Sequence, residues 1–246
     1  MRLKVLSSSS SGNCYILYNC KEALVLECGV KAAEIYGALG NNVNMISGCV
    51  ITHEHGDHSK YVGQLLKAYI TCYSSPGTFN AKGLDKCNLC KAVEPLKWNA
   101  IGNFRIMPFK TLHDAAEPYG YIIYHKEMGQ VLFATDTRDI PYIFNGLNNI
   151  LIECNYMQKK LDDNTRSGEI PLSLRKRTMG SHMSYRTCCD ILKTYNISQV
   201  SKVVLIHLSG RNSEPEEFRK GIEDITHKEV YVARRDLDIE FNKTPF

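Results

Sequence analysis

One short segment, His53-Glu54-His55-Gly56-Asp57-His58, concentrates side chains that bind metal ions. It follows the short β-branched run 49–52, which predicts a buried strand that ends where the histidines begin. Histidines two apart at a strand's exit point the same way and can share one ion, while Asp57 and His58 can face a neighbouring ion. The spacing therefore predicts a pair of metal ions, and a surface cluster of histidines is the simpler alternative.

The residues after this segment predict the element that follows it. Val62, Leu65, Leu66 and Tyr69 recur at helical spacing, which favours a helix over 59–69. Asp57 or Ser59 is available as its N-cap. We therefore expect the metal-binding segment to form a strand-to-helix turn.

Three further apolar runs each lead to one residue that can bind a metal. The runs are Phe104–Phe109, Gln130–Ala134 and Lys202–Ile206, and the residues that follow them are His113, Asp136 and His207. Alone, a histidine at a strand end is more often an ordinary polar residue, and an Asp before a turn is more often a cap. The repetition after several strands favours a single site built from all of them.

The composition suits one globular domain. With 246 residues, 43% of them hydrophobic and 23% charged, the chain can bury a full core, and we expect one domain over 1–246. The apolar start is too short for a signal peptide, and no stretch approaches the ~20 apolar residues of a membrane span, so we expect a cytoplasmic protein. The ten cysteines are scattered through apolar segments, as buried reduced thiols are.

Two other features leave alternatives open. Cys87 and Cys90 have the spacing of a zinc knuckle but lack a clear second pair, so structural zinc and plain thiols both remain. The net charge of +4 is too mild to indicate nucleic acid by itself. Cations gather between 159 and 177, which suits a phosphate-bearing substrate or a solvated loop. They are Lys159, Lys160, Arg166, Arg175, Lys176 and Arg177.

The order His-x-His-x-Asp-His, then His, Asp and His, each after a hydrophobic strand, resembles the metallo-β-lactamase superfamily. The resemblance implies an α/β fold, the four-layer αβ/βα sandwich, with metals along one edge. Within the superfamily the chain is similar to the YycJ/WalJ-type branch, regarded as metal-dependent nucleases with 5′ to 3′ DNA exonuclease activity. The segments that carry this likeness are 5–14, 113–114, 118–121, 152–156, 181–184 and 207–209. Glu27 stands where the superfamily usually has Asp, and 181–184 replaces a more usual Gly-His-Leu-Ser.

The resemblance also implies a ligand set. One ion would bind His53, His55 and His113, the other Asp57, His58 and His207, and Asp136 would bridge them. Imidazoles with a few carboxylates favour two zinc ions, with manganese as a substitute. Iron redox relatives usually place a carboxylate where His55 stands, so we expect hydrolysis, with a metal-bridging hydroxide attacking phosphorus in line.

Further residues are candidates for catalysis and substrate binding. Asp57 and His182 are the predicted catalytic residues, with His182 protonating the leaving oxygen. His182 precedes a predicted helix start at Ser184, whose free amides would suit a phosphate. Glu153 and Asn155 are candidates for orienting a ligand histidine. The predicted contacts to the substrate phosphate are Ser11, Asn13, Arg177 and His182.

The leading hypothesis is a dinuclear phosphodiesterase whose partner is nucleic acid, most simply a DNA exonuclease. The nearest rival keeps the metals but hydrolyses a cyclic or signalling nucleotide. A thioester, lactone or β-lactam hydrolase and a metal-binding scaffold without catalysis are the further alternatives. A homodimer is also left open.

Overall fold

Two sheets of seven strands form the centre of the protein in the computed structural model, which describes residues 1–244. In chain order the strands are β1 (Arg2–Ser9), β2 (Gly12–Tyr18), β3 (Ala23–Leu26), β4 (Ile46–Val50), β5 (Cys72–Ser74), β6 (Cys90–Ala92), β7 (Asn99–Ile101), β8 (Phe104–Lys110), β9 (Tyr119–His125), β10 (Gly129–Ala134), β11 (Leu147–Glu153), β12 (Lys202–Ile206), β13 (Glu229–Val232) and β14 (Asp238–Glu240). The first sheet has the order β14-β1-β2-β3-β4-β5-β6, and the second β13-β12-β11-β10-β9-β8-β7. The three strands predicted before His113, Asp136 and His207 are confirmed as β8, β10 and β12.

Helices cover both outer faces of the pair of sheets. They are α1 (Ala32–Ala38), α2 (Gly56–Ser59), α3 (Val62–Lys67), α4 (Pro76–Ala81), α5 (Gln158–Arg166), α6 (Leu172–Ser181), α7 (Tyr185–Thr194) and α8 (Pro215–Thr226). Helices α1, α3 and α4 pack on the first sheet through residues such as Ile35, Leu65 and Phe79. Helices α7 and α8 pack on the second sheet, with Leu192 and Phe218 buried there.

The largest core lies between the two sheets. Successive side chains of a strand point to opposite faces, so Tyr15 and Leu17 enter this inner core while Cys14 and Ile16 face the outer helices. Phe133 of the second sheet meets Tyr15 edge to face, with ring centroids 5.7 Å apart. The helix–sheet–sheet–helix stack confirms the predicted four-layer αβ/βα sandwich.

Parallel pairing brings the candidate site together. Strands β3 to β6 run parallel in the first sheet, and β10 to β13 run parallel in the second. The central strands β3, β10 and β12 are nearly continuous apolar runs, as expected where both faces of a sheet are covered. Parallel strands end at the same edge, so the residues after β4, β10, β11 and β12 collect there.

The predicted helix over 59–69 is wrong in its bounds and its cap. Two short helices, α2 and α3, replace it, because the Tyr61 amide donates to Cys28 O at 3.0 Å and interrupts the helical ladder. The N-cap residues are His55 and Tyr61, without a side-chain cap bond. Ser59 Oγ instead donates to Glu54 O and His55 O, so its hydroxyl fixes the backbone of the segment 53–58.

Within residues 1–244, no helix has the length and apolar character that crossing a bilayer requires.

Candidate metal centre

The first three candidate ligands converge after β4 and β8. His53 is buried, and its ring centroid lies 4.6 Å from that of His55 and 4.7 Å from that of His113. His55 Nδ1 and His113 Nε2 are 3.2 Å apart. One nitrogen from each ring falls within a sphere that a single ion could occupy, since these atoms lie within 4.8 Å of one another. We call these three residues the histidine trio.

The other ligands form a second group beside the trio. His58 Nε2 lies 3.2 Å from Asp57 Oδ2 and 3.3 Å from Asp136 Oδ1. His207 Nδ1 lies 3.4 Å from the same Asp136 oxygen. One ligand atom from each of Asp57, His58, Asp136 and His207 lies within 4.8 Å of the others. We call these four residues the mixed group.

Asp136 lies between the two groups. Its Oδ1 faces His58 and His207, while its Oδ2 lies 3.6 Å from His113 Nε2. Burial by itself would raise the pKa of Asp136, but the nearby His207 and His58 hold it well below its usual range. Asp136 is therefore a buried carboxylate with one oxygen for each group, which is the geometry that a bridging ligand needs.

One buried atom of the histidine trio indicates a divalent ion without reference to any protein family. His53 Nε2 is buried and has no hydrogen-bond partner among the residues that the structure describes. Burial and the neighbouring His58 lower the pKa of His53 well below its usual value, so the ring is neutral and keeps a free lone pair. A buried polar atom without a partner is costly, and a cation held with His55 and His113 would satisfy it.

Buried polar residues hold the mixed group from behind. Asn13 Nδ2 lies 3.2 Å from both Asp57 Oδ2 and His58 Nε2, and its Oδ1 lies 3.1 Å from His207 Nδ1. Glu27 Oε1 lies 3.5 Å from His58 Nδ1, and the Thr52 amide donates to this carboxylate at 3.3 Å. Such partners fix ring orientation and ligand basicity. Sequence reasoning noted Glu27 only as a departure, because its contact with His58 depends on the pairing of β3 with β4.

A glycine allows the ligand segment to lie against the strand that supports it. A Cβ built on Gly29 would sit 1.8 Å from the backbone oxygen of Asp57 and 2.6 Å from the Asn13 amide nitrogen. The Cys28 amide donates to His58 O at 2.8 Å beside it. Only a residue without a side chain permits this approach.

His182 lies over both groups and is held by Glu153. It follows α6, its ring stacks on His207 with centroids 5.5 Å apart, and its Nδ1 lies 2.7 Å from Glu153 Oε1. Burial opposes protonation, but the charge and hydrogen bond of Glu153 raise the pKa of His182 to about 9. The second Glu153 oxygen accepts from the Thr137 and Met183 amides. Glu153 therefore orients His182, whereas the sequence analysis assigned it to a ligand histidine.

Asn155 supports the centre through the backbone. Its Nδ2 donates to His207 O at 2.8 Å, and its own carbonyl accepts the Ser209 amide. The amides near Ser184 have protein acceptors: that of Tyr185 binds Tyr156 O, and that of Thr187 binds Ser184 Oγ. The amides of Tyr185 and Thr187 are therefore not free for a phosphate. The predicted helix start at Ser184 is confirmed, since Ser184 is the N-cap residue of α7.

A cleft of about 530 Å³ opens above the two groups. Helix α6 forms one wall with Leu174, Arg177 and Thr178, and the loop 208–212 forms the other. Of the four predicted phosphate contacts, Arg177 and His182 line this cleft. Ser11 is exposed outside it and bonded to Ser9, and Asn13 is fully buried beneath the metal-binding residues. Neither of these two residues lines the cleft, so their predicted phosphate contacts stay predictions.

Most of the cations between 159 and 177 are paired with carboxylates. Arg177 Nε contacts Asp114 Oδ2 at 2.8 Å, and Asp114 is the residue directly after His113. The other pairs are Lys160 with Glu214, Arg166 with Asp163, and Arg175 with Asp162. This stretch is therefore less positive toward a ligand than its sequence indicates.

The cysteines take no part in any candidate metal group of the described chain. All ten are free, and the groups of three or more ligands contain only His, Asp and Glu. Burial and the adjacent Cys87 raise the pKa of Cys90 to about 12, so this thiol stays protonated. Within residues 1–244, no third His, Cys, Asp or Glu joins Cys87 and Cys90 in a group that could hold a zinc ion.

Known proteins share both the sequence pattern and the fold. The family model of the metallo-beta-lactamase superfamily matches residues 9–74, which include the segment 53–58. "Exodeoxyribonuclease YycJ" of Bacillus anthracis is 26% identical over 97% of this chain and 94% of that protein. "Exodeoxyribonuclease WalJ" of Streptococcus pneumoniae serotype 2 is 27% identical over 97% of this chain and 90% of that protein.

A solved structure extends the likeness to three dimensions. The metallo-beta-lactamase fold protein YhfI from Bacillus subtilis superposes with a TM-score of 0.74 at 18% identity, covering 97% of this chain and 99% of that one. At this identity the match shows the fold alone. The chain therefore has the metallo-β-lactamase fold, and along nearly its whole length it is similar to proteins named as YycJ and WalJ exodeoxyribonucleases.

Proposed function

We propose that this protein is a dinuclear metal-dependent phosphodiesterase that removes nucleotides from DNA ends, with 5′ to 3′ polarity. The observation that carries the proposal is the position of Asp136, with one carboxylate oxygen facing the histidine trio and the other facing the mixed group, at the floor of an open cleft. The names of the two full-length relatives support DNA as the substrate.

The ligands divide between the ions as the two groups do. His53, His55 and His113 would hold one ion, Asp57, His58 and His207 the other, and Asp136 would contact both. The imidazole-rich set favours zinc, with manganese as the alternative. When bound, such ions lower the pKa of water and offset the charge that develops on a phosphoryl group.

The chain's own residues would supply orientation and a proton. Glu153 holds Nδ1 of His182, which leaves Nε2 on the opposite side of the ring, and the side chain lines the cleft. His182 can therefore donate a proton from Nε2 to the leaving oxygen, with Glu153 stabilising the imidazolium. Asp57 also lines the cleft, and it would accept the proton of the attacking water.

His182 belongs to catalysis rather than to the ligand set for a reason of geometry. Asp136, Glu153, His182 and His207 could also surround an ion. However, both oxygens of Glu153 already accept bonds, one from His182 and the other from backbone amides. A fully buried carboxylate with these partners is better suited to positioning His182 than to binding a cation.

Two arginines would hold the phosphate. Arg177 lies on α6 and is fixed by Asp114, and Arg211 lies on the facing loop. A guanidinium matches phosphate oxygens in a bidentate manner. Together they would grip the substrate from both walls of the cleft.

The test is product release with Mn²⁺ or Zn²⁺ from a panel of phosphodiesters. The panel contains 5′-phosphorylated single- and double-stranded DNA, RNA, cyclic mononucleotides and bis-p-nitrophenyl phosphate. Asp57→Asn should abolish nucleotide release from DNA, while the matched control Asp224→Asn, on the exposed face of α8, should keep it. Cleavage confined to cyclic nucleotides would move the protein to that class. Failure on every phosphodiester would refute the proposal and direct the search to thioesters and lactones.

We further propose that the protein acts in the cytoplasm. Support comes from its ten cysteines, all of them unpaired, because oxidising compartments favour disulfides. The single domain over 1–246 and a homodimer stay predictions.

A further inference from the structure

A second cavity, of about 640 Å³, lies directly beside the metal-centre cleft. It is bounded by the start of α8, by β13 and by the segment that follows β13. Leu208, Ser209 and Gly210 line both the cleft and this cavity, so one loop forms the partition between them. β1 contributes Ser8 to the cavity, and Ser10 of the following turn lines the cleft. Any chain-like ligand that leaves the cleft over this loop enters the second cavity.

The partition is exposed to solvent at Gly210. This residue is exposed, and a Cβ built on it would meet no atom within 4 Å. The loop around it is fixed, because the Ser209 amide donates to Asn155 O and Ser213 Oγ donates to Ser209 O. The shape of the partition at Gly210 is therefore set by hydrogen-bonded backbone and does not depend on a side-chain rotamer.

The charges on the two sides of the partition match a polyanion. Arg211 lines the cleft and Arg234 lines the second cavity, and both are exposed. Neither side chain has an ion-pair or hydrogen-bond partner in the part of the chain that the structure describes, in contrast to Arg175 and Arg177. Unpaired arginines on either side of this partition suit successive phosphates of one strand.

The walls of the second cavity are suited to nucleobases. They combine apolar side chains with one aromatic ring and with Arg219, whose charge is already paired with Glu216 and Glu223. The apolar and aromatic members are Leu208, Pro215, Val230, Tyr231, Val232, Ala233 and Leu237. Its volume falls within the ~300–1,000 Å³ of ordinary ligand sites. Apolar and aromatic surface binds the faces of bases without regard to sequence.

We infer that the second cavity holds the nucleotides next to the one in the cleft, with a single DNA strand crossing Gly210 and its phosphates bound by Arg211 and Arg234. The inference rests on the proposed function and names its substrate path. It makes the enzyme selective for strands longer than a dinucleotide, whereas the cleft alone would treat short and long substrates alike.

The experiment measures kcat/KM for 5′-phosphorylated oligodeoxythymidylates of two, three, four and six nucleotides. We expect kcat/KM to increase with length and then level off. Arg234→Glu should raise KM for the hexanucleotide about tenfold relative to KM for the dinucleotide, the effect of one lost charged contact. The matched control is Lys126→Glu, in the exposed β9–β10 turn, which should leave the length dependence of kcat/KM as it is in the wild type.

A second variant tests the passage itself. Gly210→Trp should block the way over the partition, so kcat/KM should no longer increase as nucleotides are added. The matched control is Gly37→Trp, on the exposed side of α1 with equal space around its Cβ, which should keep the increase. Hydrolysis of DNA that is independent of length, or equal effects of Arg234→Glu and Lys126→Glu, would overturn the strand path alone. No hydrolysis of any oligonucleotide would instead refute the proposed function and the path with it.

Discussion

Replacing Glu153 by glutamine tests the proposed division of labour at the centre. The substitution keeps the size of the side chain but removes the charge that faces His182 Nδ1 at 2.7 Å. A hydrogen bond to a charged partner contributes about 1.5–3 kcal/mol, and each 1.36 kcal/mol is a factor of ten in rate. If Glu153 stabilises the protonated His182 as the leaving oxygen departs, kcat on DNA should fall about 10- to 150-fold.

The leaving group separates this role from a structural one. p-Nitrophenolate leaves as a stable anion without a proton, so turnover of bis-p-nitrophenyl phosphate by Glu153→Gln should fall less than about threefold. The double variant with His182→Gln should be no slower on DNA than His182→Gln alone, because the two residues act as one unit. Metal content, measured by mass spectrometry of the dialysed protein, should equal that of the wild type.

Two results would refute this reasoning. Equal losses on DNA and on bis-p-nitrophenyl phosphate would show that Glu153 acts on a step other than protonation of the leaving group. Loss of bound metal in Glu153→Gln would place Glu153 in support of the ligands, through its bonds to Thr137 and Met183.

Three further predictions concern the ligands, the backbone and the pH dependence of stability. Asp136→Asn should lower the metal bound per chain by at least half, since both groups of residues contact this carboxylate. The control Asp224→Asn should keep the metal content of the wild type. Unchanged metal content in Asp136→Asn would refute the bridging role. Gly29→Ala should abolish activity and lower Tm, because its Cβ would overlap Asp57 O, whereas Gly37→Ala in α1 should leave activity intact and raise stability by about 0.5–1 kcal/mol. In Asp238, burial raises the pKa, but the hydrogen bonds of Tyr18 and Arg2 outweigh it and hold the pKa below its usual value. The carboxylate therefore stabilises the fold above the unfolded pKa of about 4 and loses this effect as the pH falls through its lower folded pKa. Asp238→Asn should thus destabilise the protein at pH 7, and the destabilisation measured by urea titration should shrink steadily as the pH is lowered below about 4.

The sequence predicted which histidines and aspartates lie together at the sheet edge because their signal is local. Five residues at the exit of one strand contain His53, His55 and Asp57, and the later ligands each follow an apolar run. The four-layer fold came from the likeness of the whole pattern to a superfamily. The bounds of β10 and β12 were predictable to within one residue, since continuous apolar runs mark strands that are buried on both faces.

The supporting residues could not be predicted, because their partners are distant in sequence. Asn13 reaches His207 across 194 positions, and Glu27 reaches His58 only through the pairing of β3 with β4. Glu153 was singled out, but its partner is His182 rather than a ligand, since the turn between α6 and α7 brings His182 over it. Likewise, the sequence around 175 shows clustered cations but not their partners, and the fold pairs Arg175 with Asp162 and Arg177 with Asp114.

The backbone at the strand ends explains why the ligands meet. Glu27, Asp136 and His207 each follow a parallel strand and adopt a left-handed conformation, with φ of 67°, 47° and 53°. This region costs residues other than glycine about 1–3 kcal/mol, so the surrounding structure must hold it. If the strand simply continued, each of these side chains would point to one face of the sheet, because side chains alternate along a strand. The left-handed turn instead directs the side chain toward the edge that the strand ends share. Glycine would relieve the strain at these positions but would remove the carboxylate or imidazole, so the cost is retained where the chemistry requires the side chain.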